Sequence, residues 1–92
     1  MLLSPRITSN NMKITYDKKI DAGYVYLNDK SIAKTLPINE WLILDVDNDQ
    51  KIVGIEMLDV SIRLSEKNLT AFKESKMKTL PIEVLSCIPS FV

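Results

Sequence analysis

A pair of apolar runs around an acidic turn constrains the fold of this chain more than any other feature. The runs WLILDV and KIVGIEML lie between Trp41 and Ser61 and predict a β-hairpin. With Asp49-Gln50 as a two-residue loop, one face carries the apolar pairs Val46:Val53, Leu44:Ile55 and Leu42:Met57. The opposite face carries Ile43, Asp45, Asp47 and Glu56, with Gly54 opposite Asp45. Because a slip of one residue would mix the two sets, burial selects this register.

The composition is that of one soluble globular domain. The 92 residues are enough for a single modest core, and 46% of them are hydrophobic. Twelve basic and twelve acidic residues cancel, so no overall field favours nucleic acid or anionic lipid. No apolar run approaches the roughly 20 residues of a membrane helix, and the start MLLSPRITSNN lacks the apolar stretch of a signal peptide. We therefore expect a cytoplasmic protein that binds neither nucleic acid nor membranes.

Few groups suited to catalysis are present. The chain has no histidine, which removes His-based triads, most zinc sites and the commonest general base. Its single cysteine, Cys87, excludes an internal disulfide and lies in an apolar stretch, where a small core residue is expected. These features predict a non-enzymatic protein with no catalytic residues and no cofactor.

The remaining segments predict an α+β fold, a small antiparallel β-meander of about five strands with one C-terminal helix. Residues 12–17, 23–27 and 32–36 alternate or are rich in β-branched and aromatic residues, and the two hairpin runs follow. Pro37 favours a strand end or a sheet edge. Asn68 is the expected N-cap of the helix and Pro81 its end. Residues 82–88 suggest a last strand or an arm, residues 1–11 a flexible lead, and residues 12–92 one domain.

Several segments carry a resemblance to a known family. They are Met12–Asp17, Ile20–Ala22 with Tyr24–Leu27, Leu44–Asp47, and Ile52–Ser61 with its VGIE-x-LD-x-S pattern. Over residues 12–64 the chain resembles domain of unknown function 2283 (DUF2283), a family of small bacterial and archaeal proteins. The resemblance implies a small antiparallel sheet with a C-terminal helix and brings no established activity. Some members look like the second gene of toxin–antitoxin-like pairs, which implies a protein partner.

Two positions depart from that family. Gln50 stands where the family usually has glycine in the hairpin turn, and a type I′ turn with Gln costs about 1 kcal/mol. Either the loop widens or the hairpin is weaker. Gly23 stands where the family usually has a large apolar residue, giving up burial worth about 1.5–3 kcal/mol. Tyr26, Trp41 or the N-terminal lead is expected to fill the space.

The sharpest candidate for a ligand site is a set of carboxylates with the spacing of an EF-hand calcium loop. They fall at loop positions 1, 3, 5 and 12 and are Asp45, Asp47, Asp49 and Glu56. Three features oppose a metal site: Gln50 replaces the required glycine, the flanks predict strands, and Lys51 lies within the loop. A solvated acidic turn is the favoured interpretation, and divalent-cation or ligand binding, less so catalysis, is the alternative.

Charge is distributed unevenly along the chain. Residues 45–59 hold five acids and one base, whereas residues 61–80 hold five bases and two acids. The simpler explanation is that the charges of the acidic hairpin and the basic helix complement each other within one fold. We also expect this chain to be an interaction module that binds a protein partner or itself. In one form of this hypothesis, the chain is the antitoxin-like partner of a small basic protein. The expected interaction face comprises Trp41, Ile43, Asp45, Asp47 and Glu56.

Overall fold

A computed structural model describes residues 12–88. Five strands form one sheet, β1 Lys13–Asp17, β2 Ala22–Tyr26, β3 Lys34–Pro37, β4 Leu42–Val46 and β5 Ile52–Met57. Three short helices follow, α1 Val60–Arg63, α2 Glu66–Lys73 and α3 Ile82–Leu85. The predicted α+β class with five antiparallel strands is confirmed. The N-terminal lead predicted for residues 1–11 lies outside the described residues.

The strands do not follow one another in simple sequence order across the sheet. Their order is β1-β2-β5-β4-β3, and every neighbouring pair is antiparallel. Strands β3, β4 and β5 form a meander, and the β1–β2 hairpin pairs with β5 instead of β3. Strand β5 therefore occupies the centre of the sheet. Pro37 lies in the edge strand β3, where its missing N–H removes no bond to a further strand.

The β4–β5 hairpin has the predicted register along most of its length. Residues 42–45 pair with Met57, Glu56, Ile55 and Gly54 in turn, as alternation predicted. Nearer the loop the register shifts, and Val46 pairs with Ile52 instead of Val53. The Gln50 N–H donates to the Asp47 carbonyl at 3.0 Å, and Gln50 has a φ of 63°. The loop has therefore widened, as one of the two expectations for Gln50 allowed.

The strained conformation of Gln50 leads to a stability prediction. Gln50→Gly is expected to raise the free energy of unfolding by about 1 kcal/mol, because glycine adopts positive φ without a steric penalty. Urea denaturation measures the change. Asp49→Gly is the matched control, since Asp49 in the same loop has no positive φ and should gain nothing. An equal gain in both variants would contradict the strain argument.

One face of the sheet packs against the helices. Its buried residues are Val25, Leu42, Leu44, Ile55 and Met57, none of which retains any solvent exposure. They share one apolar cluster with Val60 of α1, Phe72 of α2 and Val84 of α3. We call this side of the sheet the inner face and the opposite side the outer face.

Phe72 fills the space that Gly23 leaves on the inner face. A Cβ atom at Gly23 would lie 2.4 Å from Cζ of Phe72, so the ring rests on the glycine backbone. The Phe72 ring is fully buried and meets the ring of Tyr16 edge-on, with centroids 6.2 Å apart. The expectation that Tyr26 or Trp41 would fill this space is therefore wrong, since a helical residue almost fifty positions away does so.

Three short helices form the C-terminal part, and a carboxylate of α3 is hydrogen-bonded to the N-terminus of α2. The N-cap of α2 is Ser65, whose Oγ accepts from the Asn68 N–H at 3.2 Å, so the prediction of Asn68 as N-cap is wrong. Glu83 joins α3 to this cap, because its carboxylate accepts from the Ser65 N–H at 2.7 Å and from Asn68 Nδ2 at 2.8 Å. Residues 82–85 thus form a helix instead of the suggested strand or arm.

Candidate functional site

The outer face of the sheet presents two rows of cross-strand neighbours. One row is Thr15, Tyr24, Glu56, Ile43 and Pro37, and the next is Lys13, Tyr26, Gly54, Asp45 and Thr35. None of these residues belongs to the hydrophobic core cluster, and the side chains range from half-buried to exposed except at Gly54. Among residues 12–88, nothing covers the outer face in the way that the helices cover the inner face.

Tyr24 lies across the middle of this face. A Cβ atom at Gly54 would lie 2.1 Å from the Tyr24 hydroxyl oxygen and 2.5 Å from the ring, so the ring rests directly over the glycine. The hydroxyl donates to Asp45 Oδ2 at 2.5 Å, and Thr35 Oγ1 donates to Asp45 Oδ1 at 2.6 Å. Tyr24 thus spans from β2 across β5 to β4, and only a glycine at position 54 permits it.

The electrostatic surroundings keep the Tyr24 phenol protonated. Burial raises the pKa of Tyr24 far above its usual value, and the hydrogen bond to Asp45 and the Asp45 charge raise the pKa further. Because the phenol stays protonated, it remains a hydrogen-bond donor to Asp45 at every physiological pH. The Tyr24–Asp45–Thr35 connection is a fixed feature of the outer face.

Tyr26 extends the aromatic surface and already contacts a cation. Its ring centroid lies 4.5 Å from that of Tyr24, with the ring planes inclined by 52°. The ammonium group of Lys13 lies 5.6 Å from the Tyr26 centroid, within the range of a cation–π contact. The exposed fraction of Tyr26 is 43%, so this end of the aromatic surface faces solvent.

Glu56 lies at the centre of the face, between Tyr24 and Ile43 on the neighbouring strands. Within residues 12–88 the ion pairs join Arg63 to Glu40 and Lys76 to Glu74, and neither Glu56 nor Asp45 takes part in one. The centre of the outer face is therefore acidic and lacks a cationic partner from the described chain.

Two residues of the predicted interaction face are not on the outer face. Trp41 is 7% exposed and belongs to the core cluster, because it lies in the bend before β4 and the Arg63 guanidinium covers its ring at 5.7 Å. Asp47 is also 7% exposed, and its Oδ1 accepts from the N–H groups of Asp49 and Lys51. Strand alternation ends at Val46, so Asp47 holds the loop together instead of facing outwards. Ile43, Asp45 and Glu56 lie on the outer face as predicted.

The four carboxylates with EF-hand spacing do not form one cluster. Asp45 is bound by two hydroxyl groups on the outer face, and Asp47 binds loop amides. The hydrogen bond from the Lys51 N–H is the main cause of the lowered pKa of Asp47. Asp49 is exposed at the loop tip. Over the described range, 12–88, no three acidic or cysteine side chains come together as metal ligands could.

A second polar cluster, which the sequence did not reveal, joins the β1–β2 turn to α1. The Asp21 carboxylate accepts from the Tyr16 hydroxyl at 2.6 Å and from the Ser61 hydroxyl and N–H at 2.6 and 3.1 Å. The Asp21 carbonyl also accepts from the Val60 N–H at 3.0 Å. All these residues lie in or beside the segments that carry the family resemblance, which was the only available signal. Because three donors occupy the carboxylate, its role is to hold α1 against the sheet.

This cluster predicts a pH dependence of stability. Burial alone would raise the pKa of Asp21, but hydrogen bonds from Ser61 and Tyr16 outweigh it and lower the pKa. The unfolded chain then binds more protons, so the stabilising contribution is present above the ordinary aspartate pKa and is lost as the pH falls through the lower folded value.

The variant Asp21→Asn tests the contribution, since asparagine keeps the left-handed backbone at this position. At pH 7 the free energy of unfolding should fall by about 1 kcal/mol, because the site is largely exposed and solvent screens the interaction. The difference between wild type and variant should shrink as urea denaturation is repeated towards pH 3. A constant difference at every pH would contradict the assignment.

The fold and the site define a small α+β protein whose sheet packs against helices on one face, while its other face is not covered by any of the described residues. The chain belongs to the family described as "Protein of unknown function (DUF2283)", whose family model matches residues 13–61, more than half of the sequence. Neither the curated proteins nor the solved structures gave a match. Across residues 12–88, no helix has the length and apolar character needed to span a bilayer.

Proposed function

We propose that this chain is a non-enzymatic interaction module that acts in the cytoplasm and binds a basic protein partner with the outer face of its sheet. The observation that supports this proposal is the composition of the centre of the outer face. There Glu56 and Asp45 lie beside Tyr24 and Ile43, outside the core and without a cationic partner among the described residues. Aromatic and apolar side chains beside uncompensated charge are the composition expected of a specific, electrostatically guided interface.

Binding through the face fits this sheet better than binding through an edge. The edge strand β3 has only four residues, and it contains Lys34 and Pro37, which discourage pairing with another strand. At the other edge, the Ser75 hydroxyl donates to the Ile14 carbonyl at 3.2 Å and occupies one of the outward backbone groups of β1. A partner that added a strand would meet obstacles on both sides.

Self-association through the outer face fits less well than binding to a different protein. In a face-to-face pair of identical chains, the acidic centres around Glu56 would approach each other, and Lys13 is the basic side chain of these two rows. Like charges brought together in this way oppose association. A partner with a basic surface avoids the repulsion, and an antitoxin-like pairing with a small basic protein is the form we propose.

The alternative of divalent-cation binding has less support from the geometry. Of the four candidate ligands, Asp45 and Asp47 already use their carboxylates within the chain, and Asp49 lies at the loop tip. Calcium requires six to eight oxygen ligands converging on one point. The described side chains do not provide that convergence.

Site-specific cross-linking in the host cell tests the proposed function. A photoreactive p-benzoylphenylalanine replaces Tyr26 on the outer face, and in a control chain it replaces Ile62, which is 77% exposed on α1. We expect a cross-linked protein with a basic isoelectric point from position 26 and not from position 62. Mass spectrometry identifies the product.

Charge reversal at the centre of the face completes the test. Glu56→Lys in the chain cross-linking from position 26 is expected to abolish the product, while circular dichroism shows an unchanged fold. The proposal is overturned if position 26 gives no product, if both positions give the same product, or if the product persists in the Glu56→Lys chain.

A further inference from the structure

The geometry points to an arginine side chain of the partner as the group that the centre of the outer face receives. This inference rests on the proposed function and deepens it, because it names the chemical group that Tyr24, Glu56 and Ile43 would recognise. It follows from three properties of the face: an electron-rich ring, a carboxylate without an ion-pair partner among residues 12–88, and an apolar surface beside it.

Tyr24 provides the ring. The ring lies over Gly54, so its position is set by the backbone beneath it. Its hydroxyl donates to the Asp45 carboxylate, which increases the electron density of the phenol and so its attraction for a cation. On the adjacent ring, Tyr26, the Lys13 ammonium group lies 5.6 Å from the centroid, so a neighbouring phenol of the same face already holds a cation.

Glu56 provides the carboxylate beside that ring, and it forms no ion pair in the part of the chain that the structure describes. Tyr24 is its cross-strand neighbour on β2, and the negative charge of Glu56 contributes to the raised pKa of Tyr24, which reflects their proximity. A guanidinium group placed over the ring can donate two parallel hydrogen bonds to such a carboxylate. Both attractions therefore act on one cation at one place.

Ile43 and Pro37 provide the apolar surface on the other side of Glu56. The three residues follow one another in the same cross-strand row, Glu56 on β5, Ile43 on β4 and Pro37 on β3. The methylene stem of a long basic side chain packs on such a surface while its charged head reaches the carboxylate. Arginine suits this arrangement better than lysine, because its planar head both stacks on a ring and forms paired hydrogen bonds.

The surrounding charges limit the site to a single cation. A shallow depression beside Tyr24 and Glu56 extends to the β1–β2 turn, where Asp17, Lys18 and Lys19 border it with a net positive charge. A long polybasic segment would meet these two lysines, whereas one arginine at the centre would not. We therefore expect a partner that places an isolated arginine opposite Glu56.

Nuclear magnetic resonance titration of the full chain with three small probes tests the inference. The probes are N-acetyl-arginine amide, its neutral counterpart N-acetyl-citrulline amide, and N-acetyl-lysine amide. We expect saturable shifts at Tyr24, Ile43 and Glu56 with the arginine probe, with a dissociation constant on the order of millimolar, as befits one side chain. The lysine probe should bind more weakly, and the citrulline probe should not saturate.

Variants separate a specific site from general charge attraction. Glu56→Gln should weaken binding of the arginine probe by about fivefold or more, since it removes the charged acceptor. Glu66→Gln on α2 is the matched control and should leave binding unchanged. The inference is overturned by equal shifts with citrulline, by shifts located away from Tyr24 and Glu56, or by equal effects of the two variants.

The two proposals fail in different ways. If position 26 cross-links a basic protein but the arginine probe does not bind, the arginine assignment is wrong and the interaction module stands. If the arginine probe binds as expected but no cross-linked protein forms, the site has the predicted chemistry and the proposed function is wrong.

Discussion

Replacing Phe72 by alanine is expected to lower the free energy of unfolding by about 3–5 kcal/mol, enough to leave a domain of this size barely folded. Phe72 is fully buried, packs on Gly23 and meets Tyr16 edge-on. Truncation therefore removes the contact between α2 and the β1–β2 hairpin and leaves a cavity over the glycine. Urea denaturation followed by circular dichroism measures the change.

A second substitution tests whether Gly23 and Phe72 share one volume. Gly23→Leu alone should also destabilise the protein, because even its Cβ would lie 2.4 Å from the Phe72 ring and 3.2 Å from the Thr15 carbonyl oxygen. Combined with Phe72→Ala, the leucine has room and should recover part of the loss. The double variant is therefore expected to lose less free energy of unfolding than the sum of the losses in the two single variants.

A control variant tests whether the coupling is specific to Gly23 and Phe72. Val84→Ala removes another fully buried side chain, one that is not among the nearest neighbours of a Cβ at Gly23. Combined with Gly23→Leu, its effect should simply add. Additive behaviour in the Phe72 pair as well would show that the two positions do not compete for the same space.

These residues also show how far sequence reasoning extends in this fold. Pairs such as Leu42:Met57 and Leu44:Ile55 were predictable, because alternation and burial define a register between strands that a short loop connects. The pairing of β2 with β5 was not predictable, since nothing local distinguishes it from a pairing of β2 with β3. The family resemblance showed that a large side chain was missing at Gly23, but not that α2 would return to supply it.

The predictions for Trp41 and for the C-terminal segment were wrong for two different reasons, one local and one long-range. Trp41 continues the outward alternation of Ile43 in sequence, yet the Asn39 side chain accepts from its N–H at 2.9 Å and bends the chain before β4 begins. Residues 82–85 form an apolar run whose length fits a strand or a helical turn equally well. The bonds from Ser65 and Asn68 to Glu83, which tie this segment to α2, connect residues far apart in sequence.

The residues that share the outer face were predicted in part. Ile43, Asp45 and Glu56 were expected on one face and lie there, because strand alternation holds through Asp45. Tyr24 was not assigned to that face, although a glycine on the neighbouring strand was the available signal. Gly54 has no other evident reason to interrupt an apolar strand, and the ring lying over it supplies one.

Gly54→Ala should accordingly have opposite effects in two backgrounds. In the wild type it is expected to lower the free energy of unfolding by about 1–3 kcal/mol, because the new Cβ would lie 2.1 Å from the Tyr24 hydroxyl oxygen and must displace the ring from Asp45. In the Tyr24→Ala background, the ring is gone and the same change should stabilise by about 0.5–1 kcal/mol, as alanine does for glycine within a strand.

Thermal denaturation of the four chains measures both effects, and the change of sign is the decisive result. Only a ring lying over Gly54 makes alanine harmful when Tyr24 is present and helpful when it is absent. If Gly54→Ala destabilises both backgrounds equally, the glycine serves the backbone of β5 alone. Tyr24 would then not be held as a platform over the centre of the outer face, and an arginine bound there would lose the ring on which it is expected to stack.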